Sequence, residues 1–393
     1  MSSDFHYSIL VHYSEIALKK NNRKFFENKF INNIKLHLGS LKFDKISLIS
    51  ARVIIKNVNF QMWPEYKSVL SNVMGMGNAT LMIEAKTDIK DIKKAIDVLL
   101  EQAIFNTFRV TTKRHYKDFK KTSVETNIHI GQYIQDKTQQ SVNLSNPEVN
   151  FILEILKDKS YIGINKIIGH GGLPANSQEK ALSLISSGID SPVSSFEMIK
   201  RGVALDYVHF HSYPAVNRQS ISNVKAILDL LLNYQLSTTL YLVPLLDIQQ
   251  EIMKRVEEKY WVIFFRRAMV SIANIIANQK KIVALVTGES VGQVASQTLS
   301  NIRAIDEVSE LPILRPLSGM NKEEIINKAK KINTYDLSIR PYEDCCSFFV
   351  PAHPSTKSKL FDINRINKKL DLNKLYIETI KNIDVIKLNI GDS

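Results

Sequence analysis

Apolar and polar positions divide the chain into short pieces whose period switches between two and about 3.6 residues. Strand-like alternation covers 8–12, 45–50 and 52–58, and helix-like spacing covers 23–38 and 64–71. The resulting β-α-β-β-α order predicts a small ferredoxin-like α+β unit. Residues 75–78 break the pattern. Beyond them, 79–86 predicts a strand, 89–105 an amphipathic helix, and 107–113 a strand with Arg109, Lys113 and Arg114 on or near its end. A helix over 123–137 and a hairpin of 148–157 with 161–166 follow.

Gly169-His170-Gly171-Gly172-Leu173-Pro174 is the strongest linker signal. After it, strands are expected before residue 186 and at 204–209, 240–244 and 282–287. Helices are expected at 192–201, 220–232, 249–278 and 322–331. This alternation predicts a doubly wound parallel α/β domain with its ligand crevice at the carboxyl ends of the strands.

Residues 182–195 read L-S-L-I-S-S-G-I-D-S-P-V-S-S, a buried-strand run, a compact turn holding an acid, and a helix start. Gly188 permits close backbone approach, Pro192 suits a first helical turn, and amides at a helix N-terminus attract anions. The spacing matches neither a Walker nor a Rossmann loop. It resembles the pyrophosphatase-loop signature S-G-G-x-D-S, with Ser187 at the first glycine. Taken alone, the segment also reads as an ordinary strand-turn-helix junction capped by serine.

Other informative residues fall at strand exits: Val208-His209-Phe210-His211-Ser212, and the stretch from Thr287 to Thr298 with Gly288, Gln293 and Gln297. Glutamine can donate and accept at once, as recognition of a base or ribose requires, although a loop without a ligand carries similar residues. Arg266-Arg267 interrupts an apolar helix, so either an anion or carboxylate meets these guanidinium groups or they snorkel to solvent. Lys322 opens a helix where a phosphate could sit.

Composition narrows the class. With 393 residues and a formal charge of +13, the chain suits two or three domains and a polyanionic partner, nucleic acid foremost. Its two cysteines, Cys345 and Cys346, are adjacent, which excludes a disulfide framework and gives no zinc or iron-sulfur spacing. The start M-S-S-D-F-H has no leader pattern and no run of about 18 apolar residues stands out, so a cytoplasmic protein without a membrane partner is expected.

The pieces S-S-G-I-D-S-P-V, F-H-S, T-G-E-S-V-G-Q-V-A-S-Q-T-L, R-P-L-S-G-M-N-K and P-Y-E-D-C-C-S-F-F-V-P-A-H-P-S-T-K occur in the order seen in the tRNA 4-thiouridine synthetase (tRNA sulfurtransferase) family. S-E-I-A-L-K-K-N-N-R-K-F-F-E-N resembles that family's opening and G-H-G-G-L-P its interdomain linker. The resemblance implies an N-terminal ferredoxin-like domain (1–74), a THUMP RNA-binding domain (75–168), a linker (169–177), and a doubly wound pyrophosphatase-loop catalytic domain (178–393) of the adenine nucleotide alpha hydrolase type. It implies ATP-dependent adenylation of uridine 8 of tRNA, with magnesium, followed by sulfur transfer, and also sulfur delivery to a carrier protein for thiamine thiazole synthesis. The short form, without a rhodanese domain, implies a separate persulfide donor such as a cysteine desulfurase. A homodimer is implied as well.

By the same resemblance, Leu184, Ile185, Ser186, Ser187, Gly188, Ser191, His209, Phe210, Arg266, Gly288 and Gln297 hold ATP. Asp190 serves the adenylation step, or merely caps its helix, and Lys322 stabilises developing charge. Cys346 aligns best as the sulfur carrier, with Cys345 as the neighbouring register; buried inert thiols are the alternative. Arg109, Lys113 and Arg114 are candidates for RNA contact. Departures from the family pattern are Ser187, Asn321 before Lys322, and Ser194-Ser195. Two other readings stand beside this one: a lapsed member that binds tRNA without adenylating it, and a different pyrophosphatase-loop ligase. Loss of 4-thiouridine alone from cellular tRNA on gene deletion separates them.

Overall fold

The structure is a computed structural model that describes residues 5–341, 349 and 353–391. It divides into two compact units, Met1–Leu173 and Pro174–Ser393.

In the first unit the elements run β1 (Tyr7–Tyr13), α1 (Arg23–Leu38), β2 (Lys45–Ile49), β3 (Arg52–Lys56), α2 (Trp63–Ser71) and β4 (Met76–Lys86), then α3 (Ile89–Gln102), β5 (Thr107–Arg114), α4 (Ser123–Thr138), β6 (Ser141–Val142), β7 (Val149–Ile155), β8 (Lys159–Ile164) and β9 (Ile167–Ile168). They build one sheet in the order β2-β3-β1-β4-β8-β7-β5-β6, with β9 on β4. The expected break at 75–78 is instead the start of β4, which pairs β1 through most of its length and β8 at its far end. Gly77 sits where the β1 register shifts between His12 and Tyr13, so the glycine marks a bulge and not a boundary.

The helices earn their faces by spacing. In α3, Ile92, Ala95, Ile96 and Leu99 are buried, and Asp88 caps the start by accepting from the Asp91 amide at 2.9 Å. Each large side chain among them contributes roughly 1.5–3 kcal/mol by burial. Thr122 and Glu125 form a reciprocal capping box on α4. Leu10, Ile54, Met82, Ile152 and Tyr161 form a second, smaller cluster. His12 on β1 reaches Glu154 on β7 at 3.0 Å although β4 and β8 lie between them in the sheet. The register sets Glu154 level with Glu84 and so about six residues along β1 from His12. In a flat sheet those backbones would be more than about 20 Å apart, so the sheet curls to bring them together.

The second unit runs β10 (Lys180–Leu184), α5 (Asp190–Lys200), β11 (Ala204–His211), α6 (Gln219–Gln235), β12 (Ser237–Pro244), α7 (Leu246–Arg255), α8 (Trp261–Lys280), β13 (Ala284–Val286), α9 (Leu299–Asp306), β14 (Ile313–Leu314), α10 (Lys322–Lys331), α11 (Tyr335–Ser338), α12 (Leu360–Asn367), α13 (Asn373–Lys381) and β15 (Asp384–Asn389). The sheet order β14-β13-β10-β11-β12-β15 is parallel except for β15, which pairs β12 antiparallel. The single helix expected over 249–278 is two, because Val256 is extended (φ −116°, ψ 139°) and a short turn at Glu258–Tyr260 precedes α8. With that turn, α8 has the length and apolarity of a membrane span, yet 67% of its apolar window is buried inside the fold, where it is the core helix.

Candidate nucleotide site

Three parallel strands end at one cleft. The β10 exit supplies Leu184, Ile185 and Ser186, the α5 start supplies Asp190 and Ser191, and β11 supplies His209 and Phe210. Arg266 and Met269 enter from α8, while Thr287, Gly288, Glu289 and Gln297 come from the chain after β13. Nine of the residues expected around ATP therefore share one wall with Asp190. Ser187 and Gly188 belong to the same turn but do not line the cleft.

Serine side chains hold the turn. Ser191 Oγ accepts the Ser186 amide at 2.9 Å and donates to the Ser186 carbonyl at 3.1 Å. The Gly188 amide donates to Ser186 Oγ at 3.4 Å. Ser194 donates to the Thr287 carbonyl at 2.7 Å, and Ser195 donates to the Ser191 carbonyl at 2.8 Å while contacting Ser183 on β10. The serines that replace small apolar residues thus tie α5 to the neighbouring strands. Ser187 is fully buried, and its hydroxyl has no hydrogen-bond partner among the described residues. A Cβ on Gly288 would lie 2.7 Å from the Ser191 nitrogen, so only glycine lets the β13 exit pass this close to the α5 start.

Charge is paired across the cleft. Lys322 donates to Asp190 at 2.6 Å and Gln293 donates to its other oxygen at 2.9 Å. Asn321, before Lys322, caps α10 by accepting from the Glu324 amide, which accounts physically for the residue at that departure. Arg266 and Arg267 part ways. Arg266 faces the cleft and donates to Glu289 at 2.7 Å; Arg267 is buried, donating to the Ala304 carbonyl and to Glu307 at 2.9 Å. Glu289 also accepts from Arg315 Nε at 2.6 Å and from the Thr287 hydroxyl at 3.1 Å, and Arg315 in turn forks onto Asp306. Burial pushes the Glu289 carboxyl up, but Arg266 and Arg315 outweigh it and hold the group below its ordinary range. Ser290 and Val291 then bind the Met320 and Ser318 carbonyls, joining this exit to the loop that carries Lys322.

Sequence reasoning gave no site role to Glu289, Arg315 or Met269, and it pointed to Gln293 and Thr287 only as part of a strand exit. The usable signal was the buried guanidinium itself, which demands a carboxylate, and Glu289 stands in the motif already singled out. His209 Nδ1 donates to the Ile185 carbonyl, 3.0 Å away, bracing β11 against the turn. Cys345 and Cys346 lie outside the described residues. The chain after them is anchored at the cleft rim, where Thr298 donates to the Thr356 carbonyl and Asn301 to the Ser355 carbonyl.

In the first unit, Arg109 donates to the Leu144 carbonyl at 3.1 Å, and Lys113 lies 3.9 Å from Glu154. Arg114 donates to the carbonyls of Lys117, Phe119 and Lys121, shaping the loop after β5. Lys113 is exposed and Arg114 half-buried.

A parallel sheet with a serine-rich turn at the carboxyl end of β10 defines the class of the second unit as a pyrophosphatase-loop nucleotide-binding domain. Family models match the chain in three places: the ThiI ferredoxin-like domain at 8–79, the THUMP domain at 86–165, and Thiamine biosynthesis protein (ThiI) at 176–372. A probable tRNA sulfurtransferase of Moorella thermoacetica is 37% identical over 96% of this chain and 97% of its own. The crystal structure of a 4-thiouridine synthetase–RNA complex with bound ATP superposes with a TM-score of 0.87 at 35% identity, covering 98% of this chain and 100% of that one. PH1313 from Pyrococcus horikoshii Ot3, at 21% identity and a TM-score of 0.62 over 83% of this chain and 99% of its own, shares the fold. The chain belongs to the tRNA sulfurtransferase (4-thiouridine synthetase) family.

Proposed function

We propose that this chain converts uridine 8 of tRNA to 4-thiouridine in the cytoplasm, using ATP for activation and a persulfide as sulfur source. ATP-dependent thiolation of tRNA is its activity. The uridine O4 attacks the α-phosphorus of ATP and pyrophosphate leaves, which turns a poor leaving group into AMP. The outer sulfur of a persulfide on Cys346 then attacks C4, AMP departs with the former O4, and a second thiol supplies the two electrons that cleave the S–S bond. The turn over 186–191 receives the pyrophosphate end, Arg266 and Lys322 balance phosphate charge, and His209, Phe210 and Gln297 border the nucleoside.

Among the described residues no group of three or more His, Cys, Asp or Glu could hold a metal alone. That fits magnesium, which is commonly held by substrate phosphates and one carboxylate, here Asp190. When bound it supplies charge neutralisation at the phosphates. A cysteine desulfurase as persulfide donor, a sulfur-carrier protein for thiamine synthesis as a second acceptor, and a homodimer complete the reading.

The observation that carries it is the convergence of Ser186, Asp190, Ser191, His209, Arg266 and Gln297 on one cleft, with Lys322 ion-paired to Asp190. The test is Cys346→Ser: it still releases pyrophosphate in the presence of tRNA but makes no 4-thiouridine from a desulfurase persulfide, while free sulfide restores part of the product. Cys345→Ser run in parallel fixes the register. If both variants thiolate at the parental rate, the sulfur route is wrong.

A further inference from the structure

Between α7 and α12 lies a cavity of about 280 Å³ lined by Arg255, Arg365, Lys369, Ile366 and Leu370, three cations on an aliphatic floor with no acid in the wall. Arg255 and Arg365 are 56% and 64% exposed; each touches an acid of its own helix, Glu251 at 2.5 Å and Asp362 at 3.4 Å. Lys369 has no ion-pair partner among the described residues. Lys254 and Lys368 add exposed positive charge on the same two elements. A guanidinium fork satisfied on one side still presents donors on the other, and two forks with an ammonium group over one hollow match phosphate oxygens.

Position gives this hollow its meaning. The chain leaving α7 reaches Lys259, whose carbonyl accepts the Ser355 amide at 3.0 Å, and Ser355 is bound in turn by Asn301 next to the nucleotide cleft. Five residues on, α12 begins and supplies Arg365. Asn364 on α12 donates to Glu307 at 2.6 Å, just past α9, whose start adjoins Gln297. The turn after the α7 wall and the residues just before the α12 wall are thus bonded to each other through Lys259 and Ser355, and Ser355 follows the two cysteines in sequence.

We propose that the α7–α12 cavity receives backbone phosphates of the RNA substrate, giving the catalytic unit its own sequence-independent grip on RNA. Arginine, lysine and aliphatic carbons contact phosphate and sugar and position a nucleic acid without reading its bases. The inference rests on RNA being the substrate of this enzyme.

The test compares full-length Arg365→Ala/Lys369→Ala with the parental chain and with Lys225→Ala/Lys280→Ala, an equal charge change at exposed positions of α6 and α8. Binding of unmodified tRNA is titrated at several salt concentrations, independently of turnover. The expected result is about a tenfold loss of affinity and a salt slope shallower by about two, one for each cation, in the first variant only. ATP affinity and the thermal midpoint stay parental. Equal affinity and slope in all three proteins overturns the proposal, as does an equal loss in both variants, which would mean net charge alone. Thiolation is scored separately: a parental chain that binds tRNA with the steeper slope yet makes no 4-thiouridine defeats the functional reading and leaves the phosphate site standing.

Discussion

Each unit buries a glutamate among cations, and the two are built differently. Glu154 has no exposed surface and lies within ion-pair reach of His12, Arg52, Lys113 and His115, at 3.0 to 3.9 Å. Among the described residues its oxygens receive no well-aligned hydrogen bond. Glu289 is almost as buried, yet it accepts aligned bonds from Arg266, Arg315 and Thr287. In both, burial raises the carboxyl pKa and neighbouring cations more than reverse it. The decisive contrast is where the cations lead. Those around Glu154 come from β1, β3, β5 and the residue after β5 and tie the curled sheet together, His115 also lining a cavity beside Lys56 and Tyr161, whereas Arg266 carries the Glu289 network to the wall of the cleft where the serine-rich turn after β10 ends. A buried ion pair thus does not by itself mark a functional site; what distinguishes Glu289 is that its network shares a cleft with Asp190, Ser186 and Ser191.

The largest effect should come from the cleft itself. Asp190→Ala lowers ATP-dependent pyrophosphate release by about 10²–10³-fold or more while leaving tRNA affinity unchanged, as pyrophosphate assays and filter binding would read. An active variant removes Asp190 from the site. Next, the two glutamates separate the two kinds of network. Glu289→Gln and Glu154→Gln each leave buried cations uncompensated, a loss of about 3–5 kcal/mol in the unit affected. Only Glu289→Gln should raise the KM for ATP, by about tenfold if one charge-assisted contact is misplaced. Equal KM in both variants would erase the distinction drawn here. A smaller effect is expected at the β5 end: Lys113→Ala/Arg114→Ala weakens tRNA binding several-fold and flattens its salt dependence by up to about two. An unchanged slope takes both residues out of the RNA interface.

Much of this was legible in the chain where a local rule was strong. Helix α1 was expected at 23–38 and α10 at 322–331, and both ends hold; the Asn321–Glu324 capping box fixes the second. The parallel sheet followed from strand-helix alternation, and the turn from its serines, glycine and acid. What could not be read is tertiary. Gly75 and Gly77 look like a boundary until β1 is seen against β4, where Gly77 occupies a bulge. The 249–278 pattern stays apolar through Val256, with no proline or glycine to announce the break. The strand β15 is mostly exposed and exists through its pairing with β12. The Glu289 network joins residues 23 and 26 positions apart, beyond any helical or strand period.

The smallest predicted effect is a pH dependence that again tells the units apart. His211, at the end of β11, is pushed down to about 4, first by burial, with His209 and Arg218 adding and Asp384 opposing. Its Nδ1 is buried without a partner among the described residues. In the unfolded chain a histidine takes up a proton near pH 6.5, so between that value and about 4 the unfolded state binds more protons than the folded one. Stability of the second unit therefore falls as pH drops through this window. His115 in the first unit is also lowered, by burial and then Arg52, and acts with the same sign. Glu154 and Glu289 act later: their folded values are depressed, so their stabilisation is intact above the ordinary carboxylate range and disappears only below it. Urea unfolding at about pH 7 and about pH 5 should show a larger loss for the parental second unit than for His211→Asn, and a larger loss for the parental first unit than for His115→Gln. If His211→Asn keeps the parental difference between the two pH values, the imidazole at β11 already carries its proton in the folded state and the burial argument fails there.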